Sequence, residues 1–151
     1  MATNPEFARE QYLEKPLPSS LDSERVILGA ILLDNTLISQ AIELLKVDDF
    51  YSPLHRRVFR AMMNLFERGD KIDPILIGEE LKKEGQLENV GGVATITNLT
   101  YGLPHFSNIA HYAKIVHDKA VIRNLIKVCN QVVSEALAEE EDAEIVLDHA
   151  E

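Results

Sequence analysis

The stretch "SNIAHYAKIVHDKAVIRNLIKVCNQVVSEAL", residues 107–137, runs for roughly thirty residues with no proline or glycine. At 1.5 Å per residue an uninterrupted helix there spans about 45 Å, longer than a small globular head is wide. Such a helix must project. Its second half carries Ile122, Ile126, Cys129, Val133 and Ala136 at spacings of four, three, four and three, flanked by Leu125, Val132 and Leu137. That stripe suits helix-on-helix packing. After the polar "AEEED", Asp142 can cap a further helix whose Ala143, Val146, Leu147 and Ala150 form a matching stripe, and an αα-hairpin follows. The chain stops inside that second helix. An isolated helix of about ten residues is marginal in water, so the expectation is a fragment of a longer protein.

The rest of the chain reads as all-α: apolar residues recur three and four apart, and the breakers sit where helix caps belong. Pro16 and Pro18 end a polar arm. "LDSERVILGAILLDN" then puts Val26, Ile27, Ala30, Leu32 and Leu33 on one face, and Thr36 to Leu45 forms a second helix. Ser52 and Pro53 open a third that closes at Gly69, with Leu54, Val58, Met62, Leu65 and Phe66 as its apolar stripe. Asp73 and Pro74 open a fourth that closes at Gly85. "GVATITNLTYG" has strand propensity but no partner strand, and is assigned as a helix. The expected architecture is a small helical head, residues 18–106, carrying a projecting hairpin, residues 107–151, behind a flexible arm, residues 1–17.

Charge narrows the function. The chain carries −10 formally, but seven acids lie at or beyond Glu139, where there is no Lys or Arg, so the first 138 residues hold 15 bases against 18 acids. Tight binding to a phosphate backbone needs clustered cations, so little direct DNA binding is expected. There is no signal peptide and no apolar run long enough for a membrane span, which points to a soluble cytoplasmic protein. Cys129, the single cysteine, has apolar neighbours and reads as a small packing residue.

"DDFYSPLHRRVFRAM", residues 48–62, crowds acids, aromatics, a histidine and arginines together. Helical periodicity separates them: the apolar residues take one side, Arg56, Arg57, Arg60, Asn64 and Arg68 mostly the other, and Phe50 and Tyr51 anchor the preceding loop. The arginines read as a solvated face. The five histidines, His55, His105, His111, His117 and His149, include no HExxH pair; no GxxxxGK[ST] loop or GxSxG elbow occurs. No catalytic or metal-binding residue is assigned. One enzymatic alternative is a metal-dependent all-α nucleotide hydrolase, using Glu141 with Glu144 or Asp70 with Asp73. A generic helical interaction adaptor is the other alternative.

The ordered blocks "LPSSLDSERVILGAILLDN", "VDDFYSPLHRRVFRAMMNLFERGDKID", "EGQLENVGG", "SNIAHYAKIVHDKAVIRNLI" and "DAEIVLDHAE" resemble the N-terminal domain of the bacterial replicative DNA helicases of the DnaB family, over nearly everything after Pro16. The resemblance implies a helical head and a hairpin, with hairpins pairing two subunits and three pairs making a collar on a hexameric motor. It implies docking of the C-terminal domain of primase and of a helicase loader. It places the ATP- and magnesium-dependent motor beyond a linker, leaving these residues without a cofactor or an activity of their own. On this reading Ile122, Leu125, Ile126, Cys129, Val132, Val133 and Leu137 serve self-association, and Asp22, Glu24, Ile126 and Val132 contact primase or loader. Thr95 stands where similar sequences often carry an aromatic.

Overall fold

The structure, a computed structural model, describes residues 15–104, 108–139 and 141–151. The boundary expected between head and hairpin, at 106 and 107, and most of the expected arm lie outside them. Among the described residues the elements are α1 (Leu21–Leu33), α2 (Leu37–Leu44), a 3-10 turn (Val47–Asp49), α3 (Pro53–Glu67), α4 (Pro74–Lys83), a second 3-10 turn (Glu88–Val90), α5 (Gly92–Asn98), α6 (Ala110–Ala138) and α7 (Ala143–Ala150), with no strand.

The caps of α3 and α4 work as the sequence suggests. Ser52 Oγ accepts from the His55 amide at 3.4 Å and Asp73 Oδ1 from the Leu76 amide at 2.8 Å, with proline at the first helical position in both helices. Gly69 and Gly85 take φ of 75° and 68° just past α3 and α4, a conformation that costs a Cβ-bearing residue energy. The threonine-rich run is α5: Thr95 and Thr97 hydroxyls donate to the carbonyls of Gly91 and Val93, four residues back, which spends their side chains on helical backbone.

Two apolar faces differ from expectation. In α1, Leu33 is exposed, whereas Leu28 and Ile31 are fully buried along with Ile27 and Ala30. The reason is that α2, α3 and α6 all pack on α1, so its middle is covered on nearly every side while Leu21 and Asp22 at its start and Leu33 at its end emerge. In α3, Phe66 lies in the last turn and is exposed, while Phe59 is buried against Phe50, ring centroids 4.9 Å apart. Gly29 is where α1 meets the end of α5: a Cβ there would lie 2.5 Å from Leu103 Cδ1 and inside contact distance of the Leu99 carbonyl oxygen. Asn35 joins distant loops, donating to the Ile31 and Ile72 carbonyls and accepting from the Ile72 amide, all within 2.9 Å.

Candidate interaction surface

Helix α6 has two halves with different environments. Ile109, just before it, and Ala113 and Val116 within it are buried against the head, packing on α1 and α2. The same face continues through Arg123, whose Nη1 donates to the Pro18 carbonyl at 2.9 Å and Nη2 to the Asp49 carbonyl at 2.8 Å, while its guanidinium lies 5.2 Å from the Tyr51 ring centroid. One arginine thus ties the N-terminal segment, the first 3-10 turn and the long helix together. Sequence reasoning passed over it; the available signal was a lone cation in the apolar run "AVIRNLI", at a head-facing position.

Beyond Arg123 no residue of α6 is buried. Ile122, Leu125, Cys129, Val133 and Leu137 are exposed, Leu125 at 60% and Leu137 at 64%; Ile126 and Val132 are half-buried. Cys129 therefore packs into no core of this domain: it is exposed on the half of α6 that buries no residue. The stripe also divides by face. Ile126 and Cys129 line an apolar groove with Leu17 and Pro18, whereas Val132 lines the cleft between α6 and α7 with Val128, Gln131 and His149.

Helix α7 returns antiparallel to α6 after a reversal at Glu139, which takes φ 52° and ψ 28°. Asp142 occupies the cap position of α7, but its side chain makes no capping hydrogen bond. Val146 is half-buried; Ile145 and Leu147 are exposed. His149 Nδ1 sits 2.9 Å from Glu135 Oε2 across the hairpin. That hydrogen bond raises the imidazole pKa above its ordinary value and, together with the bond from Gln131, lowers that of the Glu135 carboxyl.

The two acids that open α1 have opposite surroundings. Asp22 is exposed. Glu24 is 1% exposed, accepting from the Tyr51 amide at 2.9 Å, the Ser52 amide at 3.2 Å and pairing with His55 Nδ1 at 2.9 Å. The expected role of Glu24 as a partner contact is corrected accordingly: its carboxylate is consumed in holding the loop ahead of α3. The arginine face of α3 is also partly structural, since Arg56 Nε donates to the Phe50 carbonyl and Arg68 bonds Asp70 and the buried Glu80. Of the acids in the hydrolase alternative, Asp73 is engaged in its cap and Asp70 with Arg68.

The model of the DnaB-like helicase N-terminal domain matches residues 16–118. The chain belongs to this family. Similar curated proteins include the replicative DNA helicases DnaB of Geobacillus stearothermophilus, 33% identical over 94% of this chain, and of Treponema pallidum, 37% identical over 89%. The chain spans 31% of the length of each. The crystal structure of the N-terminal domain of DnaB helicase from Mycobacterium tuberculosis superposes with a TM-score of 0.83 at 35% identity, covering 89% of this chain and 96% of that one. The corresponding Helicobacter pylori domain, described together with its interactions with primase, shares the fold at a TM-score of 0.67 and 24% identity, covering 76% of this chain and 89% of that one. A DnaB N-terminal domain is thus all-α here as it is in its relatives. No described helix is long and apolar enough to cross a membrane.

Proposed function

We propose that this DnaB N-terminal domain is the self-associating collar of a replicative helicase and a docking platform for primase and for a helicase loader. Unwinding, ATP and magnesium belong, on this reading, to a motor domain in the parent protein. The observation that carries the proposal is the second half of α6: Ile122, Leu125, Val133 and Leu137 lie open along a helix already anchored by its first half, with Leu147 at 65% exposure on α7. Apolar side chains repeated over that length ordinarily mark an interface. A second copy of the same hairpin offers complementary chemistry and closed two-fold geometry. Primase contact is assigned to Asp22 and to the surface near Ile126 and Val132, with Asp22 carrying the charge that Glu24 cannot offer.

Light scattering of the Leu125→Asp/Val133→Asp double variant tests this. Both positions are exposed in the single chain, so the monomer keeps its fold, while pairing would bury two uncompensated charges at a cost of several kcal/mol. Wild type is expected as a dimer or larger and the variant as a monomer. Equal masses would refute the assignment of the stripe.

A further inference from the structure

Three side chains from three stretches converge at the free end of the hairpin: Glu135 in the last turns of α6, Glu141 in the reversal and His149 in the last turn of α7. Their ligand atoms lie within 4.8 Å of one another, with His149 Nδ1 2.9 Å from Glu135 Oε2 and 3.8 Å from Glu141 Oε2. A tetrahedral shell with metal–ligand distances of about 2.0–2.2 Å separates neighbouring ligand atoms by about 3.4 Å, a value the two observed distances bracket. Gln131 Nε2 donates to Glu135 Oε1 at 3.1 Å, which holds the carboxylate so that its other oxygen faces the imidazole. Metal sites use outer hydrogen bonds of that kind to fix their ligands. Glu135 and His149 line a solvent-open cleft of about 360 Å³, which gives an ion a way in and room for a water ligand.

Charge supplies an independent argument. Two carboxylates face one imidazole, so the group stays net negative even with His149 protonated. No Lys or Arg occurs in residues 128–151, the stretch that carries all three side chains. A dication would balance the charge. One imidazole with two carboxylates suits zinc and its neighbours in the transition series, whereas magnesium prefers an all-oxygen octahedron.

We propose that Glu135, Glu141 and His149 form a zinc-type divalent-metal site that clamps α7 onto α6. The clamp matters because no residue of α7 in this structure is buried, so packing alone does little to hold the helix on α6. Metal bound only to the closed hairpin stabilises that state by mass action.

The test is a titration with ZnCl2 of the chain carrying Cys129→Ser, so that the exposed thiol does not compete, followed by calorimetry, melting temperature and far-ultraviolet circular dichroism. One saturable zinc per chain is expected, with a rise in melting temperature and in helicity; MgCl2 at the same concentrations gives neither. Glu141→Gln and His149→Gln each weaken zinc binding by at least about tenfold, the scale on which even outer-sphere changes act, while Glu144→Gln leaves it unchanged. Absence of saturable zinc binding, or unchanged affinity in either ligand variant, overturns the site. Zinc stoichiometry measured in the Leu125→Asp/Val133→Asp background depends neither on self-association nor on primase, so a failed clamp leaves the collar assignment to stand or fall on its own test.

Discussion

Asp22 and Glu24, two positions apart in α1, show what one residue's surroundings decide. Glu24→Ala strands two backbone amides and His55 in a buried site, and is expected to cost about 3–5 kcal/mol in denaturant unfolding, whereas Asp22→Ala removes only a helix-start charge worth about 0.3–1 kcal/mol. If Asp22 is also a docking contact, Asp22→Lys weakens binding of the primase C-terminal domain and removes its salt dependence, read by calorimetry; unchanged affinity leaves Asp22 as a helix-start residue alone. The sequence marked both acids as equivalent because which of them turns inward depends on Tyr51, Ser52 and His55, 27 to 31 residues away. Gly29→Ala gains up to about 1 kcal/mol in helix propensity, but its methyl would meet the Leu99 carbonyl and Leu103, and overpacking of that kind costs about 1–3 kcal/mol. Backbone oxygen cannot step aside as a side chain can, so a net loss of stability is the expected result of a thermal melt.

At the scale of elements, local chemistry was legible and exposure was not. Ser52–Pro53, Asp73–Pro74, Gly69 and Gly85 announce their helix ends because capping is settled by adjacent residues. Phe66 and Leu33 misled because periodicity reports the angle of a side chain around its helix and says nothing about where neighbouring helices stop. Cys129 misled for the same reason, on a helix half of whose length leaves the head. Glu139 closes α6 in the left-handed region, where a side chain costs about 1 kcal/mol, so Glu139→Gly is expected to stabilise the hairpin by up to that amount in a chemical melt. Between α3 and α4, the Arg68 hydrogen bond holds the buried Glu80 carboxyl below its ordinary value of 4.5 against the opposing effect of burial. A depressed carboxylate contributes stability that is fully present above its unfolded pKa and lost as pH falls through the folded one. Unfolding free energy followed downward from pH 5 is therefore expected to fall more steeply in wild type than in Glu80→Gln.

The whole molecule is a head with a lever. Its long helix is secured at one end by Ala113, Val116 and Arg123 and buries no residue along the other, where Ile122, Leu125, Val133 and Leu137 stay exposed beside α7, an asymmetry that makes that half available to a second copy without disturbing the core. The length of α6 was visible in the absence of breakers. The division at Arg123 was not, because it depends on the Pro18 and Asp49 carbonyls arriving from elsewhere in the chain. Amide hydrogen exchange along α6, measured over a range of chain concentrations, tests the central claim most directly. Residues 110–123 are expected to be protected equally at every concentration, and residues 124–138 to gain protection only as concentration rises and hairpins pair. Protection of residues 124–138 that does not change with concentration in a chain that associates would contradict the assignment of this half of the helix to self-association.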